Sequence, residues 1–254
     1  MHIILASAKI MHDQLKAVPN VDTTVPRFIN EAQSFAANMA SYPIETIAHM
    51  LGCSQAIATQ NKLRFMRHLE HHPTMPAILA YHGQAYKHLK AETLTVNQLN
   101  FAQQHLSIMS FLYGMLRPLD GILPYRMEGS VELPSGEGKN MFGFWKSRLT
   151  DVLINSIKAD DGVLIHLATE EFQHLLNWQR VSSEVRIVQP LFYVKKGNAL
   201  KMQAVWAKTC RGAMTRFIVE NQISSPSLLQ AFSYEGFHFD PSLGDNDHPH
   251  FVKR

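Results

Sequence analysis

The sequence predicts an α+β fold, a single mixed domain with a central sheet and surrounding helices. Three observations carry this. Short continuous apolar runs of strand length recur at His2–Ala6 and Val163–Ala168, longer stretches repeat their apolar residues at helical spacing, and no internal repeat or low-complexity block interrupts them. At 254 residues and 46% hydrophobic content, the chain is long enough to bury one sizeable core.

The elements follow in order. His2 to Ala6 reads as a buried strand, with Ser7, Ala8 and Lys9 at its carboxyl end, where α/β architectures place ligand-binding groups. Residues Pro26 to Met39 form a helix opened by Thr24 and Pro26, and Ile44 to His71 form another, interrupted near Gly52. Pro76 to Tyr81 is a second short strand. Leu99, Ala102, Leu106, Met109 and Tyr113 share helical spacing, so that helix runs to Gly114, and Arg117-Pro118 prevents its continuation. The Gly, Ser, Pro and Glu content of 129–139 makes a loop before a helix from Phe142 to Ile157. After the third strand, Val163 to Ala168, come the acidic residues Glu170 and Glu171. Arg186 to Lys195 and Leu200 to Ala207 read as a hairpin turning at Lys196-Gly197-Asn198. A basic helix follows, then a late strand from Ala231 to Asp240, and a tail expected to fray beyond Pro241.

Composition narrows the function classes. Charged residues make up only 18% of the chain and are partly replaced by 14 histidines, which titrate near neutrality. The formal charge of +3 permits anionic partners without demanding them, so any basic site is local. Two cysteines, Cys53 and Cys210, without CxxC spacing, supply neither a disulfide framework nor a zinc ribbon, and point to a reducing compartment. The N-terminal apolar run is too short for a signal segment, and no run of 18 apolar residues occurs, so a cytoplasmic, membrane-free protein is expected.

Three constellations could carry chemistry. On a helical wheel, Lys208, Arg211, Gly212, Thr215 and Arg216 share one arc, opposite Cys210, Ala213, Met214, Phe217 and Ile218. The apolar arc faces a core. The cationic arc, with a glycine that holds no partner away, suits an anion such as phosphate, and the plainer alternative is a solvated helix face. The run from Ser110 to Glu128, with Tyr113, Arg117, Asp120, Tyr125 and Arg126, reads as a helix-hairpin-helix presenting backbone N–H groups to DNA phosphates, or else as an ordinary helix end with Arg117 paired to Asp120. Lys9, Glu171 and Lys208 each follow a predicted strand and form a charged pocket if those strands are neighbours. Metal ligation finds no motif: His68, His71 and His72, and His248 and His250, read as solvated, and no HExxH occurs. Neither GxSxG nor a glycine-rich phosphate loop is present, and Cys210 lies on the apolar arc, where burial raises a thiol pKa.

Taken together, Leu112 to Asp120, Pro124 to Glu128, Phe144-Trp145, Leu167-Ala168 with Glu171, Ala207-Lys208, Arg211-Gly212 and Arg216 to Ile218 resemble the YaaA peroxide-stress family over nearly the whole chain. The resemblance implies a cytoplasmic bacterial protein made under peroxide stress that limits iron-dependent damage, with a positively charged cleft, a helix-hairpin-helix element and binding to double-stranded or branched DNA. It carries no cofactor and no metal site. The family's residue types stand here at Lys9, Tyr113, Arg117, Tyr125, Arg126, Lys208, Arg211 and Arg216, expected on DNA or another anion, with Asp120 and Glu171 as supporting acids. Departures are Ala6-Ser7-Ala8-Lys9 for the family's Ser-Pro-Ala-Lys, His82-Gly83-Gln84, and His166, Thr169 and Phe172 in place of an asparagine, a serine and a tyrosine. These remove polar groups from the pocket, which leaves charge-based binding as the leading expectation and an enzyme acting on a phosphorylated or nucleotide-like substrate as the alternative.

Overall fold

The computed structural model describes residues 1–13, 21–70, 72–197 and 199–254. His71 and Asn198, expected at a histidine-rich helix end and in the hairpin turn, lie outside them. The chain opens with β1 (His2–Ala6), whose Ile3, Ile4 and Leu5 are almost wholly buried. Next come α1 (Ile29–Ser41), α2 (Ile44–Met50) and α3 (Gln55–Arg67), the last two separated at Gly52, where φ is +53°. β2 (Met75–Pro76), α4 (Ala77–Ala80) and α5 (Gln84–Leu89) follow. α6 (Val96–His105), opened by a reciprocal Thr95–Gln98 capping box, leads directly into β3 (Leu106–Ser110), β4 (Gly114–Leu116) and β5 (Gly121–Ile122). The second half comprises α7 (Met141–Lys158), β6 (Val163–Leu167), α8 (Glu170–Gln173), α9 (Trp178–Glu184), β7 (Arg186–Val188), β8 (Leu191–Lys196), β9 (Ala199–Lys201) and α10 (Ala204–Glu220). The chain closes with β10 (Ser233–Tyr234), β11 (Phe237–Gly244) and β12 (Pro249–Lys253).

Two five-stranded sheets result, ordered β4-β3-β1-β6-β7 and β10-β11-β12-β8-β9. β1 is parallel to both β3 and β6, with Leu5 facing Ile108 on one side and Leu167 on the other, so the carboxyl ends of β1 and β6 meet at one edge. Strands buried on both faces must be apolar throughout, which explains the unbroken runs Ile3–Leu5 and Leu164–Leu167 apart from His166. α10 packs on β1 and β6 of the first sheet and on β8 of the second, and one apolar cluster joins Ile3 and Ile165 to Phe192 and Phe251. No helix among the described residues is long and apolar enough to cross a membrane.

Several expected elements take another form. Of Pro76–Tyr81, only Met75–Pro76 is extended, because Ala77 and Ile78 donate their N–H groups to Asp120 and Pro118 carbonyls and the next residues turn helical. The helix expected up to Gly114 ends at His105, and 106–110 is a strand. An apolar run such as Leu106–Ser110 satisfies either period, and burial on both faces between β1 and β4 decides it. The helix-hairpin-helix expected over 110–128 is therefore replaced by a β hairpin and an irregular stretch. Its turn at Gly114 has φ +69° and a Cβ position 2.7 Å from the Trp145 ring, so only glycine fits. The tail expected to fray is structured: β12 lies between β11 and β8, with Phe251 unexposed.

α10 departs furthest from expectation. Its cationic arc is covered in the middle, where Gly212 and Thr215 are buried like Cys210 and Met214 of the apolar arc, while Lys208 stays exposed. Gly212 does not make room for an anion. A Cβ there would sit 1.8 Å from the Ala85 carbonyl oxygen, so the glycine lets α10 lie directly on the backbone of α5. Histidines are buried too, contrary to the solvated reading of His68: His2 shares a 2.8 Å hydrogen bond with Ser107, and burial pushes His2, His68 and His166 each down to about 4.

Gly212→Ala is expected to cost about 1–3 kcal/mol or more through backbone overlap, read as a lower urea midpoint at unchanged slope. The histidines set a pH dependence. Their folded pKa values near 4 lie below the unfolded 6.5, so the unfolded state takes up the protons first. Stability is intact above pH 6.5 and declines as pH falls toward 4, at up to about 1.4 kcal/mol per pH unit per histidine. Denaturation of His166→Gln across that window should show a slope shallower by one histidine's share, and an unchanged slope would show that His166 is not held neutral.

Candidate functional site

The parallel pairing of β1 with β6 sets the site. The chain leaving β1 through Ser7–Ile10 and the chain leaving β6 through Thr169–Phe172 emerge side by side, and the first half of α10, the start of α5 and the segment Tyr125–Met127 close around them. The cavity they form, partly open to solvent, measures about 310 Å³. It brings together Lys9, Glu171 and Lys208, the first two at the ends of β1 and β6 and Lys208 from within α10 rather than from the end of the strand expected over Leu200–Ala207, and adds Arg211, Tyr125 and Arg126. Gly83 opens α5 against this edge, where a Cβ would lie 2.6 Å from that of Ala8.

The cations divide into spent and unspent. Lys9 Nζ lies 2.7 Å from Glu128 Oε2, and Arg126 reaches Glu128 Oε1 at 3.0 Å, so one largely buried carboxylate holds two positive side chains. Sequence reasoning did not single out Glu128, whose signal was an acid two residues beyond Arg126. Lys208 and Arg211 make no side-chain hydrogen bond or ion pair among the described residues. Lys208 is exposed, whereas Arg211 is partly buried, and that burial presses its guanidinium below its usual range while nearby Glu170 acts in the opposite direction. Glu171 is exposed at the rim and likewise makes no ion pair.

Beneath the charges lies a network of phenols. The Tyr125 hydroxyl is 2.7 Å from that of Tyr81 and 2.6 Å from Ser110 Oγ, which in turn accepts the Tyr113 N–H at 2.9 Å. Tyr86 donates to the Ala6 carbonyl at 3.0 Å. Burial pushes Tyr125 up to about 12 and Tyr81 and Tyr86 well above the ordinary phenol range, so all three stay protonated and can act as hydrogen-bond donors. Phe111 and Phe172, stacked at 4.6 Å, supply an apolar wall. Tyr81, Tyr86, Ser110 and Phe111 were not candidates, because apolar or isolated hydroxyl residues at such separations in sequence have no motif.

Four expected residues, Tyr113, Arg117, Asp120 and Arg216, stand elsewhere. Tyr113 is 1% exposed, and its hydroxyl accepts the Leu123 N–H at 3.3 Å, so it contacts no anion. Arg117 pairs with Asp120 at 2.9 Å, the pairing of its plainer reading, though it follows β4 rather than a helix end, and it lines a different cavity. Arg216 caps α5, with Nη1 donating to the Leu89 and Lys90 carbonyls at 3.0 and 2.9 Å and to Thr93 at 2.7 Å. Cys210 is unexposed, with its thiol pushed up to about 12 by burial, so it is no nucleophile at neutral pH. No group of three or more His, Cys, Asp or Glu among the described residues is arranged to hold a metal ion.

Residues 1–243 match the family model described as peroxide stress protein YaaA. A UPF0246 protein of Bacteroides thetaiotaomicron is 42% identical over 246 residues, covering 96% of this chain and 95% of that one. UPF0246 proteins of Phocaeicola vulgatus and Parabacteroides distasonis are 41% and 37% identical, over 98% and 100% of this chain and 97% and 100% of theirs.

Tyr125→Phe leaves Tyr81 and Ser110 without their shared partner. It is expected to cost about 1–3 kcal/mol in urea denaturation, with Tyr81→Phe/Tyr125→Phe together costing less than the sum of the single changes.

Proposed function

The chain belongs to the peroxide stress protein YaaA family, and from that premise we propose that its cavity binds a small phosphorylated or nucleotide-like molecule. One observation carries the reading: Lys208 and Arg211 face a walled cavity with no protein partner among the described residues. A partly buried guanidinium without a partner is costly, and a bound oxyanion offsets that cost. The volume of about 310 Å³ suits a metabolite, since ligand pockets run about 300–1,000 Å³. Lys208 and Arg211 clamp the anion. Lys9 and Arg126, held by Glu128, add field without moving, while Glu171 and the Tyr125 hydroxyl supply an acceptor and a donor for the remainder of the ligand.

Duplex DNA binding, the sequence-based expectation, is the second reading. Its original support weakens because Tyr113, Arg117 and Arg216 are engaged elsewhere. One feature still favours it. α2 and α3 form a helix pair joined at Gly52, whose φ is +53° and whose Cβ position has nothing within 4 Å, so that turn is free to approach a phosphate backbone.

Calorimetry with AMP and with inorganic pyrophosphate tests the first reading. Arg211→Ala and Lys208→Ala should each weaken binding about tenfold or more, because each removes a charge-assisted contact worth about 1.5–3 kcal/mol. Undiminished binding by Arg211→Ala sinks the clamp. Duplex retention that falls steeply with salt yet survives Arg211→Ala assigns nucleic acid to the Gly52 turn instead.

A further inference from the structure

The site above uses the carboxyl ends of the parallel strands. At their amino ends, where β1 and β3 begin, a second cavity of about 500 Å³ opens. Arg27 and Arg117 line it together with Gln104, and the buried His2–Ser107 pair forms part of its wall.

Its charge is arranged for an anion. Arg117 is fixed in place: its Nε and Nη2 donate to Asp120 Oδ1 at 3.2 and 2.9 Å, while Asp120 Oδ2 accepts the Arg117 backbone N–H at 2.8 Å. Asp120 is 1% exposed and also accepts the Thr24 hydroxyl at 2.7 Å. Nη2 reaches the Val25 carbonyl as well, at 3.3 Å, whereas Nη1 has no acceptor among the described residues. The one carboxylate on the lining is thus occupied in orienting a guanidinium whose Nη1 is unspent. Arg27 is exposed and makes no hydrogen bond or ion pair among the described residues. A held guanidinium loses little entropy on binding, and its free Nη1 offers two N–H donors and a permanent charge in a fixed direction. Leu106, Leu116 and Met115 give the cavity an apolar side.

We propose that this cavity is a second binding site, for a small oxyanion-bearing molecule, a phosphate ester or a carboxylate with a compact apolar body, gripped by Arg117 and Arg27. It is independent of the first site, because the two cavities share no lining residue.

Amide NMR of the full chain, titrated separately with inorganic phosphate and with succinate, tests it. Gln104 and Ser107 should shift with a millimolar or tighter dissociation constant, and phosphate and succinate distinguish the two ligand classes. Arg27→Ala, which breaks no hydrogen bond or ion pair among the described residues, should weaken this response about tenfold while leaving shifts at Lys9 and Arg211 intact, and Arg117→Lys should do the same by removing the Nη1 donors. Lys208→Ala/Arg211→Ala should abolish only the shifts of the first site. If neither anion moves Gln104 or Ser107, or if their response survives Arg27→Ala unchanged, the second site is refuted, whatever happens at Lys9 and Arg211.

Discussion

The contact of Gly212 with the backbone of Ala85 is the constraint on which the remainder depends. With no Cβ between them, α10 and α5 lie against each other so closely that a methyl group has no room. Gln84 secures the contact by donating to Thr209 at 2.8 Å, and Arg216 secures the other end by capping α5 carbonyls. The two helices therefore act as one body, and because α10 also packs on β1, β6 and β8, that body joins the two sheets. Lys208 and Arg211 owe their position to it. They project from the first half of α10, into the cavity at the carboxyl edge of β1 and β6.

Charge economy follows from this packing. The cationic residues expected to form one continuous basic face are distributed among different tasks: Glu128 holds Lys9 and Arg126, Asp120 holds Arg117, and Arg216 serves helix carbonyls. Buried polar groups demand such partners, and each partner found removes a cation from the pool available to a ligand. What remains at the main site is a pair of unspent cations over neutral phenols and an aromatic wall. In the reading proposed above, that arrangement suits a compact anion better than a long polyanion, which needs many phosphate contacts in a row.

Much of the fold was legible in the sequence. Strand β1, strand β6, α7 and the interruption at Gly52 all stand where apolar period and punctuation place them, and the meeting of Lys9 with Glu171 follows from strand ends once β1 and β6 are neighbours, whereas Lys208 reaches the same place from α10 and not from a strand. The failures share a cause, which is that tertiary burial overrides local period. Leu106–Ser110 fits a helix or a strand equally well until it lies between β1 and β4, and with that reading went the helix-hairpin-helix at 110–128. The wheel of α10 showed two arcs of opposite character but not that the cationic one would be covered in the middle, so Gly212 and Arg216 looked like ligand contacts when they are packing and capping residues. Ser110 and Glu128 bounded a run of interest without a role of their own and Tyr81 carried no signal, because their roles come from contacts between segments distant in sequence, apart from the short step from Arg126 to Glu128.

The placement of β12 has a bearing on how the molecule is made. Its partner β8 leaves the ribosome first, and until residues 249–253 have been synthesised, the hydrogen-bonding edge of β8 that they will occupy stays open. The second sheet is thus assembled late, by insertion of a strand between two already translated ones. During that interval the nascent chain exposes an unpaired strand edge, the kind of surface that chaperones guard and that pairs wrongly with other chains when crowded.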